Sequence, residues 1–328
     1  MQKNLYLHLG FHKTGSTSFQ ATCATGAEKL QSSGITYPTF KCDDRPDTII
    51  NHSIPIISMF SENPENYHIN KRWGLSNKTS KINASYRQQF EEYLTSAENL
   101  CISGEGISLL STQSLKRMIT LIDKHNFKIH AIAILRSPYS ALCSEIQQKI
   151  KIGNFNALIS LNNSAKKTFN CEWYSKAKIA SKLKSIFKNA IQFVPFESAC
   201  LNPYGPAGFL VQEFLNTDPS AFKYSKENQS LDNLTVRLQN EMNKINPRFI
   251  EHQGENNPTF PKGELNPGFV ELGKGINKNL VCSKKFALTE AEYLLIADYI
   301  RSESDKILKL TNIDYRGEKL TFSKAIIE

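Results

Sequence analysis

The sequence holds no Cys-x-x-Cys pair, no apolar run long enough to span a bilayer and no internal repeat. Seven cysteines, an odd number, are scattered over positions 23, 42, 101, 143, 171, 200 and 282. Neither a zinc ribbon nor a paired disulfide framework fits that pattern, so free thiols in a reducing compartment are expected. The opening "NLYLHL" is too short and too polar for a secretory leader, and a cytoplasmic protein is expected. No helix-turn-helix, zinc-finger or basic-zipper signature occurs, which argues against a nucleic-acid partner. No group of His, Cys, Asp and Glu has metal-ligand spacing, so no metal is expected.

What is present is an ordinary globular composition: 40% hydrophobic and 22% charged over 328 residues. That length allows one large domain with a sizeable core. Lys and Arg number 40 against 31 Asp and Glu, a net charge of +9 spread along the chain rather than gathered in a tail. Such an excess favours anionic partners: nucleotides, acidic glycans or an anionic membrane surface.

Strand patterns alternate with helix patterns. Residues 3–9, the "GITYP" of 34–38, "NLCIS" of 99–103, "KIHAIAIL" of 128–135 and "AIQFVPF" of 190–196 read as extended. Helices are expected over 16–33 (stopped by Gly34), 86–94, 111–125, 137–151 with Pro138 in its first turn, 205–215, 228–246 and 289–310 with Thr289 as cap. From Phe40 to about Tyr86, Pro46, Pro55 and Pro64 interrupt the pattern, and an irregular insertion is expected. Residues 247–285, rich in Gly, Asn and Pro, read as a long loop. The alternation predicts an α/β protein with a parallel β-sheet flanked by helices. Ligands bind such sheets beyond the carboxyl ends of the strands, so the loops after Leu9, Ser103 and Leu135 are where a site is expected.

The first of these loops, "HLGFHKTGSTS", runs from strand to helix. A helix N-terminus offers unpaired N–H groups and partial positive charge, which suit a phosphate. Gly10 and Gly15 let the backbone wrap an anion, Lys13 adds a point charge, and Ser16, Thr17 and Ser18 add donors. The plain alternative is a turn capped by Ser16 or Thr17, which requires no lysine. A Walker A loop places lysine after the second glycine; here Ser16 stands there and the lysine lies inside the loop, which counts against a P-loop nucleotide kinase.

The lysine-inside form "HKTGSTS" resembles the 5′-phosphosulfate loop of sulfotransferases, which use 3′-phosphoadenosine 5′-phosphosulfate (PAPS) as donor. That resemblance demands an arginine ending a later strand and a serine eight residues on, for the donor's 3′-phosphate. Arg136 and Ser144 in "AIAILRSPYSALCSEIQQ" meet it. Further stretches are similar to the bacterial branch of the family: "GITYP", the segment from "CEWYSKAK" to "VQEFL", "NQSLDNLTVRLQNEMNKIN" and "IRSESDKILKLTNID". The resemblance implies a single P-loop-like sulfotransferase domain over 1–328. The insertion at about 40–98 and the loop at about 247–285 would then lie on the acceptor side.

It also implies donor contacts from His12, Lys13, Thr14, Gly15, Ser16, Thr17, Ser18, Arg136 and Ser144, with Lys274 in "GKG" as a basic loop residue over the 3′-phosphate. Sulfuryl transfer is an in-line displacement that needs positioning and charge stabilisation, the role expected of Lys13, and a base for the acceptor hydroxyl or amine. Glu105 in "SGEG" is the first candidate base, with a raised carboxyl pKa expected from shielding; His52 in "INHS" is the rival. Tyr67 and Trp73 are candidates to stack on a sugar ring, and Glu197 is expected to end a strand. The implied partners are PAPS, its product 3′,5′-ADP and a hydroxylated acceptor of carbohydrate type. The alternatives are a nucleotide kinase and a non-catalytic binder of anionic nucleotides or glycans.

Overall fold

The computed structural model describes residues 2–161, 175–224, 230–246, 248–251, 263–265, 269, 271–272 and 285–324. The chain divides into two compact units. The first comprises Met1–Arg136, Ala177–Glu227 and Leu310–Ile313. The second comprises Ser137–Lys176, Asn228–Lys309 and Asp314–Glu328.

In chain order the strands are β1 (Lys3–His8), β2 (Ile35–Thr36), β3 (Phe40–Cys42), β4 (Arg45–Ile49), β5 (Asn99–Ser103), β6 (Phe127–Leu135), β7 (Ile191–Pro195), β8 (Phe249–Glu251) and β9 (Gly263–Leu265). The first unit is built on one five-stranded sheet in the order β2-β5-β1-β6-β7, with every pairing parallel. The protein is therefore α/β, a parallel sheet flanked by helices. Its middle strands carry Leu5, Leu7, Leu100, Ile102 and Ala131 to Leu135, all buried, as expected where helices cover both faces. β1 is the pivot: it pairs β5 on one side and β6 on the other, so the chain switches direction across the sheet there. The three loops leaving β1, β5 and β6 consequently emerge side by side.

The helix expected over 16–33 is two helices, Ser16–Thr25 and Ala27–Ser32, broken at Gly26. The Phe222 ring is the reason that this position is a glycine. A methyl at Gly26 would lie 2.4 Å from that ring, inside the core that also holds Phe19, Cys23 and Leu30. The 205–215 helix changes pitch, from α over Gly205–Phe209 to π over Leu210–Phe214, where Leu215 N–H reaches back to the Leu210 carbonyl.

The irregular insertion expected over 40–86 is ordered instead. β3 and β4 form a hairpin, followed by helices Ser53–Phe60 and His68–Arg72 and then a long helix, Thr79–Ser96. Rings from several elements converge on Phe40, which lies within 5.9–6.4 Å, centroid to centroid, of His52, Tyr86, Phe90 and Tyr93. On the long helix, Ile82, Tyr86, Phe90 and Leu94 repeat every fourth residue and make the buried stripe.

The second unit contains the helices Pro138–Lys151 and Asn233–Ile245, around a core that includes Leu142, Ile146, Ile150, Val236 and Leu288. Its fully buried Arg237 pairs with Glu292 through two hydrogen bonds of 2.6 and 2.8 Å and also donates to the Ser160 carbonyl. Glu292 in turn completes the capping box with Thr289. The stretch read as loop over 247–285 includes the antiparallel pair β8–β9. Among the described residues no helix is long and apolar enough to cross a membrane, and no disulfide joins Cys23, Cys42, Cys101, Cys143 or Cys200 to another described cysteine.

Candidate active site

β1 ends by handing its chain to the loop 9–15, fixed at its entry by the Leu9 N–H to the Ile132 carbonyl (2.9 Å). Lys13 takes a left-handed conformation (φ 67°), and so does Gly15 (φ 89°). A side chain other than glycine adopts this at a cost of about 1 kcal/mol, which the surrounding bonds must offset. Left-handed residues in such a loop turn successive N–H groups toward one concavity, a geometry that holds anions.

Thr14 is turned inward, its hydroxyl donating to the Phe11 carbonyl at 2.7 Å; it braces the loop and its side chain is not on offer to a ligand. Gly15, rather than a serine or threonine, is the N-cap of helix Ser16–Thr25, and no side chain caps that helix. The plain alternative of a Ser16- or Thr17-capped turn is therefore not what forms. The Ser16 hydroxyl is buried and has no hydrogen-bond partner among the described residues. Thr17 is exposed and Ser18 half-buried on the same first turn.

The other two loops close on this one. Arg136, at the end of β6, donates from Nη1 to the Lys13 carbonyl at 3.3 Å, and its guanidinium lies 4.6 Å from the centroid of the Phe196 ring. From β5, the Gly104 N–H donates to the His8 carbonyl at 3.1 Å, and Glu105 follows in a 3-10 turn, Glu105–Leu109. Ser108 Oγ donates to the Gly10 carbonyl and Gly106 N–H to Ser53 Oγ, tying this turn to the loop 9–15 and to the insertion. Contact is tight at Gly10, where a methyl would lie 2.4 Å from Ser16 Oγ and 3.1 Å from Glu105 Cα. Glycine is the residue that lets the two loops meet.

His12 Nδ1 lies 3.5 Å from Glu105 Oε1, with the two side chains 45% and 31% exposed. The raised carboxyl expected for Glu105 is corrected here. Burial does push the carboxyl up, but the His12 contact and the charges of His12, Lys13 and His8 outweigh it and hold Glu105 below its usual value. Glu105 is ionised at neutral pH.

His52, the rival base, is a framework residue. Its ring is fully buried; Nδ1 accepts from the Ser103 N–H at 2.9 Å and Nε2 donates to the Pro38 carbonyl at 2.7 Å. Burial lowers its pKa to about 4, opposed by the Pro38 bond. With both nitrogens engaged it has no lone pair for a substrate proton. Trp73 has one face covered by Arg45, whose guanidinium carbon sits 4.0 Å from the ring centroid.

Tyr67 is half-buried; burial, and after it the Glu105 charge, raises its phenol well above the ordinary range. His68, lowered by burial and then by Arg72 and His12, belongs to the same electrostatic neighbourhood. Ser144 sits half-buried in helix Pro138–Lys151 of the second unit. Lys274 lies outside the described residues, and Glu197 is exposed in a short helix, Phe196–Ala199, just past β7.

Three contributors escaped the sequence reading. His8 is fully buried at the end of β1, Nδ1 bonded to Ser103 Oγ at 2.9 Å and Nε2 without a partner among the described residues; burial lowers its pKa to about 4 against the pull of Glu105. Its sign was a histidine in an otherwise apolar strand. Gln20 donates to the Ser103 carbonyl and to Asn51, fastening the first helix to β5. His68, whose ring centroid lies 4.8 Å from that of Tyr67, had no local motif to announce it.

No family model and no curated protein matches the sequence. Among solved structures, the chain is similar to a sulfotransferase from Alicyclobacillus acidocaldarius, at 15% identity and a TM-score of 0.36, over 73% of this chain and 90% of that one.

Proposed function

We propose that this protein transfers the sulfuryl group of PAPS to a hydroxyl, or less readily an amine, of a carbohydrate or other small metabolite. The observation that carries the proposal is the donor loop. An uncapped helix N-terminus, a left-handed Lys13 and a buried Ser16 hydroxyl with no partner meet in a loop held by the arginine that ends β6. An orphaned buried hydroxyl costs about 1–3 kcal/mol, a penalty that a phosphate oxygen in the loop would relieve.

Lys13 and the N–H groups of residues 15–18 hold the 5′-phosphate end and stabilise the negative charge that grows on the bridging oxygen as its bond to sulfur breaks. Arg136, its guanidinium set against Phe196, supplies the fork for a dianionic 3′-phosphate. The His12–Glu105 pair stands beside Lys13 and accepts the acceptor's proton. The ordered insertion after β2, with Tyr67 and His68, is assigned to the acceptor side, and the whole chain is taken as one catalytic domain.

The test is transfer of labelled sulfate from PAPS to a panel of hydroxylated sugars and small metabolites, beside transfer of labelled phosphate from magnesium ATP to the same panel. Sulfate incorporation is expected. Phosphate incorporation without sulfate would overturn the proposal in favour of a kinase.

A further inference from the structure

We propose that His12 is the base that takes the acceptor's proton, and that Glu105 is the positioning carboxylate behind it. This division of labour rests on the sulfuryl-transfer reading above. It starts from geometry. The two side chains reach one another from adjacent sheet-edge loops, with His12 Nδ1 3.5 Å from Glu105 Oε1. A carboxylate on Nδ1 favours the tautomer with its proton on that nitrogen and leaves the Nε2 lone pair open. Among the described residues no side chain or backbone group bonds His12 Nε2, and the side chain is 45% exposed. The neighbouring histidines lack this opening: His8 is sealed in the sheet against Ser103 and Phe19, and His52 is bonded through both nitrogens. His12 also directly precedes Lys13, so the base and the charge that stabilises the leaving oxygen are one residue apart.

The chemistry agrees. A base works best when its conjugate acid is near the working pH. Glu105 is held on the acidic side of an ordinary carboxylate by His12, Lys13 and His8 in spite of burial, which suits it to stabilise a cation and makes it a weak acceptor for a hydroxyl proton. The charged and titratable groups around the pair are Lys13 on the same loop, His8 from β1, and Tyr67, His68 and Arg72 from the insertion. All except the phenol of Tyr67 are cationic or basic, so Glu105 is the one anion among them that can balance an imidazolium. In the step itself the acceptor oxygen forms its bond to sulfur and its proton passes to His12 Nε2. The bond from sulfur to the bridging oxygen breaks, and the electron pair stays on the phosphate. The imidazolium, paired with Glu105, then releases the proton to water.

The test uses the full chain with an acceptor found in the panel above. His12→Ala is expected to lower kcat about 100-fold or more, to abolish the acidic limb of the kcat–pH profile and to regain part of its rate with added imidazole. Its affinity for 3′,5′-ADP is expected to stay near wild type. Glu105→Ala is expected to lower kcat less and to keep an acidic limb. In 15N spectra of histidine-labelled protein, it should shift His12 away from the Nδ1-protonated tautomer. Survival of the acidic limb in His12→Ala with its loss in Glu105→Ala would reverse the roles and overturn the proposal. A His12 tautomer indifferent to Glu105→Ala would overturn the pairing while leaving sulfuryl transfer standing. A wild type that turns over no PAPS would remove both readings together.

Discussion

Mild acid should loosen this protein, through histidines held neutral in its interior. His8 and His52 are fully buried and their pKa values fall from about 6.5 to about 4, chiefly through burial. In the unfolded chain each binds a proton as the pH drops through about 6.5, whereas in the folded chain each resists until about 4. Between those limits the unfolded state holds more protons, so stability falls as the pH falls. For one such histidine, going from pH 7 to pH 5 costs about 2 kcal/mol, and the two together about 4 kcal/mol. Half-buried His130 and the more exposed His68, also lowered by burial first, act in the same direction. The perturbation is His52→Gln, whose amide can keep one donor and one acceptor for Pro38 and Ser103. The assay is urea unfolding at pH 7 and pH 5. Wild type should lose about 4 kcal/mol, or more with the contributions of His68 and His130, and the variant about 2 kcal/mol less than wild type. Equal stability of wild type at the two pH values, or an unchanged pH dependence in His52→Gln, would refute the assignment of His52 to the framework.

Lys13→Ala should reduce turnover by about 100-fold or more while weakening 3′,5′-ADP much less, since the charge it meets peaks in the transition state; steady-state kinetics beside calorimetry decide this. Arg136→Ala should erase most of a preference for 3′,5′-ADP over 5′-AMP, a loss of about 1.5–3 kcal/mol against the first nucleotide only. Equal loss for both would assign Arg136 to the fold of the loop. Gly26→Ala should destabilise by about 1–3 kcal/mol in thermal or urea unfolding, because its methyl meets the Phe222 ring at 2.4 Å.

The parallel sheet was legible because its strands announce themselves twice, by buried apolar runs such as "AIAIL" and by the loop chemistry at their ends. Parallel pairing then forces the loops after Leu9, Ser103 and Leu135 to one edge, so their meeting followed from the fold class. The 86–94 helix was legible as part of Thr79–Ser96, but the hairpin and the helices Ser53–Phe60 and His68–Arg72 were not. Their order depends on Phe40, His52, Tyr86, Phe90 and Tyr93 closing around one another across more than one element, and no local period encodes that. The packing at Gly26 was invisible for the same reason, since the ring it meets, Phe222, lies far along the chain. Within the site, Lys13 and Arg136 could be placed by motif. The assignment of His52 could not, because "INHS" carries no sign that both ring nitrogens will be consumed by backbone groups. Glu105 could be placed on the loop after β5, but the direction of its pKa depended on His12 and His8 arriving beside it.

The central claim is that the loop with Lys13 and Arg136 is built for a nucleotide bearing phosphates on both the 5′ and 3′ positions. Calorimetric and thermal titration of the full chain with 3′,5′-ADP, 5′-AMP and magnesium ATP tests it directly. The account predicts that 3′,5′-ADP binds most tightly and, at about 100 times its Kd, adds about 2.7 kcal/mol to stability, with 5′-AMP and magnesium ATP far behind at the same concentration. Tighter binding of magnesium ATP, or no discrimination between 3′,5′-ADP and 5′-AMP, would contradict it.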